Sequence, residues 1–131
     1  MSVATNTAVF KMLMSGDNGA TWKAGTDYSG GVNYSAWNSA TVNNSNNQAF
    51  FPLTGPCYTD RYIDAQLWVT GCNHGYYISM HGDISYFDTT LTQMARGTFV
   101  GTSDTTGINA LRFIFSSGNI SYGVFSLYTV R

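Results

Sequence analysis

Between residues 8 and 14, Phe10, Met12 and Met14 stand at every second position, with Lys11 and Leu13 between them. A period of two puts alternate side chains on opposite faces of an extended chain, so one face can be buried while the other stays wet. The alternation returns at Leu67 and Val69 around Trp68, at Ile78 and Met80 between Tyr77 and His81, and at Leu111, Phe113 and Phe115. Helical spacing is absent nearly everywhere. The pattern therefore predicts strands over 8–14, 20–23, 32–37, 65–70, 75–81, 97–101, 111–115 and 122–130. Turns are predicted at 15–19, 29–31 and 116–119, where Gly, Asn, Asp and Ser cluster. The Asn/Ser stretch 41–48 reads as an exposed loop. Seven to nine strands of this kind specify an all-β, two-sheet antiparallel sandwich.

Composition agrees. Only 10% of residues are charged, against roughly 25% in an average soluble domain. All seven acids are Asp, and hydroxyls and amides carry the polarity. A chain of 131 residues fits one domain, residues 1–131, and can fold without metal or disulfide. The net charge is −1 and the cations Lys11, Lys23, Arg61, Arg96, Arg112 and Arg131 are scattered, which argues against nucleic acid or an anionic membrane as partner. No apolar run reaches the ~18–20 residues of a membrane helix. Residues 1–6 lack the basic and apolar regions of a secretory leader, so the domain is expected to begin at Met1. Cys57 and Cys72 are expected as free apolar fillers, and both chain ends as packed or paired.

Candidate chemistry is sparse, and no cofactor is expected. Cys57, Cys72, His74 and His81 are potential zinc ligands, but their spacing is not that of a finger or ribbon. Asp17-Asn18-Gly19 resembles the start of a calcium loop that lacks its final bidentate acid. A glycosidase pair would have to come from Asp64, Asp83 or Asp88. Aromatics form 15% of the chain. Tyr34, Trp37, Trp68, Tyr77 and Tyr122, with Arg112, are the candidate interface or glycan contacts; Tyr76 and Tyr86 are further aromatics of this kind.

Ser15, Asp17, Gly19, Thr21 and Trp22 fit S-x-D-x-G-x-T-W, which resembles the Asp box of sialidases. That box is a structural turn. Asp17 would accept turn amides, Gly19 would take a left-handed conformation and Trp22 would pack beneath. A sialidase-like site also needs an arginine cluster, a tyrosine and an acid pair, which six scattered cations do not provide.

Two longer stretches resemble a jelly-roll-like β-sandwich domain of tailed-bacteriophage virion proteins. One is Phe10 to Trp22 followed by Gly25-Thr26-Asp27-Tyr28. The other runs from Gly107 to Tyr128 and contains Leu111-Arg112-Phe113-Ile114-Phe115 and the turn residues Ser116, Ser117, Gly118 and Asn119. The chain departs from that pattern at Asn18, where glycine is usual, and at Thr129 after Leu127-Tyr128. The resemblance implies a jelly-roll-like sandwich and a non-catalytic virion role in capsid decoration, a short fibre or a tail. Its implied partners are other virion proteins and copies of itself, a trimer being favoured. It implies assembly in the host bacterial cytoplasm. The alternative expectation is a receptor-binding tip for host glycan, and a glycan-cleaving enzyme ranks last.

Overall fold

The computed structural model describes residues 1–24, 28–36, 39–72, 78–89, 94–102 and 107–129. It is built from antiparallel strands: β1 (Ser2–Val3), β2 (Ala8–Ser15), β3 (Tyr28–Ala36), β4 (Ser39–Gln48), β5 (Phe51–Cys57), β6 (Ile63–Thr70), β7 (Ser79–Phe87), β8 (Met94–Thr102), β9 (Ala110–Phe115) and β10 (Ile120–Tyr122). Among the described residues there is no helix. A three-stranded sheet in the order β5-β2-β9 faces a five-stranded sheet in the order β4-β3-β8-β7-β6. The short β1-β10 pair closes one end, where Met1 and Ile63 exchange backbone bonds of 2.7 and 3.2 Å. The outer pairs β1–β10, β2–β9 and β3–β8 are nested, as in a chain folded in half and rolled up. This is the expected two-sheet, jelly-roll-like sandwich.

The alternation in β2 is what orients its sheet. Ala8, Phe10, Met12 and Met14 are buried, while Val9, Lys11 and Leu13 keep partial contact with solvent. Across the sandwich, β7 buries Met80, Gly82, Ile84 and Tyr86, and β5 adds Phe51 and Leu53. Phe115, opposite Phe10, closes the same layer with ring centroids 5.2 Å apart. Burying side chains of this size is worth roughly 1.5–3 kcal/mol each, so this apolar layer drives the two sheets together.

Several sequence expectations need correction. Residues 41–48 are not a loop but most of β4, paired with β3 from Ala36–Ser39 to Tyr28–Gln48. A ladder is made by the main chain, so an edge strand can form without apolar residues. Ser29, Gly30 and Gly31 do not turn; they lie in β3, and a register shift between Tyr28 and Gly30 absorbs the irregularity. Residues 20–23 form no strand, because β2 is already paired on both edges. Only Lys23 reaches β2, bonding the Met14 carbonyl at 2.9 Å beyond the last β5 pair. β5 gives no strand signal because it contains Pro52, Gly55 and Pro56, which an edge strand tolerates. β7 reaches from Ser79 to Phe87; the first part of the predicted 75–81 strand, through residue 77, lies outside the described residues.

Gly82 sits at the tightest crossing of the wide sheet. A Cβ there would collide with the Gln66 carbonyl oxygen and lie 3.0 Å from Leu67 Cα, both backbone atoms of β6. Gly82→Ala should cost about 1–3 kcal/mol by overpacking, measured as a lower midpoint in urea unfolding.

Candidate functional site

The two motif stretches come together at one end of the β2–β9 ladder. β2 stops at Ser15, whose carbonyl accepts from Asn109 N at 2.9 Å just before β9 begins. The Ser15 side chain then organises the following loop. Its hydroxyl donates to Asp17 Oδ1 at 2.6 Å and accepts from Asp17 N and Gly19 N at 3.2 and 2.9 Å. Asp17 in turn accepts from Thr21 N at 2.8 Å and from Thr21 Oγ1 at 2.5 Å. Asn18 and Gly19 both take positive φ, 59° and 84°, which is why a short amide residue serves where the related pattern has glycine. The loop is then pinned from outside. Asn18 N donates to Asn109 Oδ1 at 2.9 Å, and Gly16 lies so close to the Gly107 carbonyl that a Cβ would stand 2.7 Å from its oxygen.

Trp22 lies against Gly19, where an added Cβ would touch its ring at 3.2 Å. Its face also receives the Arg112 guanidinium, 5.6 Å from the ring. Arg112 projects from the outer face of β9, opposite Leu13 and away from the buried face. The exposed arginine is thus paired within the chain, by a contact of roughly 0.5–1 kcal/mol at such a surface position. Ser15, Asp17, Gly19 and Trp22 are therefore joined in one hydrogen-bonded, packed loop.

The closing turn is present but connects differently than expected. Gly118 has φ +70°, with Thr5 packed against it. Ser116 N bonds Val9 O, and the Ser116 hydroxyl accepts from Val9 N, both at 2.9 Å. Asn119 O accepts from Ala4 N at 3.2 Å. Ser117, Gly118 and Asn119 thus pass the chain from β9 to β10, which pairs with β1. They do not fold it back on β9 as a paired hairpin, and the predicted strand 122–130 is realised only at its start, in β10. The first chain end is paired as expected. Beyond Tyr122 the described chain, 123–129, is exposed and joins no strand.

The remaining candidates are dispersed. Trp68 is partly exposed on β6 and stacks on His81 of β7, with centroids 5.3 Å apart and planes within 4°. Tyr122 meets Tyr62 edge-on at 5.9 Å. Tyr86 is buried, and its hydroxyl oxygen accepts from Gly55 N at 2.9 Å. Tyr34 lies in β3, paired with Thr41 and Gly97, but its side chain is outside the described part. Trp37, His74, Tyr76 and Tyr77 lie outside the described residues. Asp64 and Asp83 are diagonal neighbours on the β6–β7 ladder, whereas Asp88 bridges to Cys57 elsewhere. Among the described residues no three His, Cys or Asp side chains gather as a metal site. Sequence reasoning missed two participants, Tyr28 and Asn109. The buried Tyr28 hydroxyl accepts from Met14 N at 2.8 Å and donates to Lys23 O at 3.2 Å, closing the base of the loop.

Two measurements test this chemistry. The Ser15 and Thr21 hydrogen bonds lower the Asp17 carboxyl from 3.8 to about 2. Folding therefore favours the ionised form. That contribution is complete above 3.8 and is lost as pH falls toward about 2. Asp17→Asn should flatten the fall of the thermal midpoint across that acid window. Cys57 is buried beside Thr54, and burial pushes its thiol up to about 11. Iodoacetamide at neutral pH should modify it only when the protein unfolds. The chain matches no protein-family model, no curated protein and no solved structure.

Proposed function

We propose that this chain is a non-catalytic structural protein of a tailed-phage particle, either a capsid decoration protein or a short fibre or tail subunit. It assembles in the host bacterial cytoplasm and sits on the virion through other virion proteins and copies of itself. The observation that carries this reading is the meeting of the 15–22 loop with residues 107–112. The two stretches on which the phage resemblance rests are far apart in sequence, with Asn18 and Asn109 separated by 91 positions, yet they form one hydrogen-bonded unit. Their polar groups engage turn amides and one another, which supports a fold-bearing role for the Asp-box-like loop and not the chemistry its sequence imitates.

A second reading, attachment to host glycan, is favoured by one feature. The parallel Trp68 and His81 rings form a flat aromatic patch, and the exposed Gln66 and Thr70 flank Trp68 on the same strand face. Such a patch can stack on a sugar ring while amides and hydroxyls bond its hydroxyls.

Purified chain should co-sediment with phage particles or expanded capsids that lack it, and Trp68→Ala should leave that binding intact. Absence of binding to any such particle sinks the structural reading. Binding to host cells or a glycan array that Trp68→Ala abolishes would instead select the attachment role.

A further inference from the structure

The described chain after β10 carries its apolar side chains in solvent. Val124, Leu127 and Tyr128 are 89, 87 and 83% exposed, and Phe125 is 54% exposed. A soluble chain scatters single exposed apolar residues, but it seldom presents four within five positions. The stretch from Ile120 to Thr129 also contains no charge and no proline, the devices that normally keep a free strand from pairing. Its residues favour extended structure. In an extended chain Val124 and Tyr128 share one face, and Phe125 and Leu127 the other. Both faces are therefore apolar, the signature of a strand covered on both sides.

The same chain offers a matching edge. Among the described residues β9 is laddered on one side only, to β2, so its other edge presents main-chain donors and acceptors without a strand. β9 contains no proline, and its Leu111 and Phe113 are only half-buried at the margin of the core. Among the described residues three strands here face a sheet of five, and no strand lies on the other side of β9. The segment does not fill that place in its own chain. Its start is tied to β1 by the Ser2–Tyr122 and Val3–Ile120 pairs, and Gly123 is packed against Met1. Phe125 reaches back, stacking on Phe113 at 5.7 Å.

We infer that residues 123–129 are an exchange strand that adds to the open edge of β9 in a second copy of this chain. The occupant is a second copy because one sequence supplies both halves of the contact, an uncharged two-faced strand and an unblocked edge with apolar side chains beside it. Main-chain bonds would give the added strand its hold, and Phe113 and Leu111 would receive its apolar side chains. Repetition of this donor-to-edge contact closes into a symmetric ring or a reciprocal pair. The inference rests on the homo-oligomeric part of the proposed function and on nothing that concerns the particle, so failure to bind virions would leave it standing.

The test uses the full chain. By light scattering after gel filtration, the wild type should have at least twice the mass of one chain. Leu127→Asp, which alters a side chain already in solvent, should fall to the mass of one chain with unchanged far-ultraviolet circular dichroism. A labelled peptide of residues 120–131 should then bind the Leu127→Asp protein saturably and compete poorly with the assembled wild type. Two results overturn the inference: a wild type that runs as one chain with the amides of 123–129 protected from exchange, which means the strand folds back on its own β9, or a Leu127→Asp variant that stays as large as the wild type.

Discussion

The six consecutive pairs from Phe10–Phe115 to Ser15–Ala110 hold the beginning and end of the chain in one ladder, and the remainder of the sandwich is arranged around them. β2 is the central strand of its sheet, with β5 on the other side, and its inner face is fully dry. Displacing it by one residue would turn Phe10, Met12 and Met14 outward and bring Lys11 inward, so the hydrophobic layer itself fixes the register. The contact is also among the most distant in the chain. Loop-closure entropy must be met before such a pairing is rewarded, which makes this a topology of slow, cooperative assembly.

From that ladder follows the position of both motif stretches. The loop after β2 and the segment before β9 leave the same end of the same pair of strands, so they can bond each other directly. Ser15, Asp17 and Thr21 close the loop on itself, and Gly16, Asn18 and Asn109 lock it to the neighbouring segment. Hydroxyl and carboxylate groups that resemble an enzyme motif in one dimension are turn supports in three. Arg112 follows the same logic: it meets Trp22 because β9 places it on the outer face beside the loop.

The ladder also explains the asymmetry of the two layers. The sheet containing β2 ends at β9, while the opposing sheet continues to five strands. The turn at Ser117, Gly118 and Asn119 sends the chain to β1, since Asn119 O is taken by Ala4 N and Ile120 by Val3. Among the described residues, the open edge of β9 and the unpaired apolar segment are therefore two consequences of one routing decision.

Much of this was legible in the residues. Alternation identified β2, β6, β9 and part of β7 and gave the correct buried faces, because period-two burial is written directly into side-chain order. The S-x-D-x-G-x-T-W pattern identified the loop, because hydroxyl, carboxylate and glycine are needed at fixed local offsets to satisfy its amides. What escaped were features made by the main chain or by distant neighbours. β4 is rich in Asn and Ser and β5 in Pro and Gly, yet both are strands, since an edge needs backbone partners more than apolar side chains. Asn109 and Tyr28 lie within the two resembling stretches, but nothing in their local sequence says that they bond this loop, because both contacts are made through space. The sequence by itself determined the alternating strands β2, β6 and β9, which of their faces would be dry and how the 15–22 loop would close, all matters of near neighbours. Only the tertiary structure decided that β10 joins β1 instead of β9 and that residues 123–129 stand in solvent. Strand partners are chosen by which edges remain open after the core has formed, and no stretch of sequence carries that information alone.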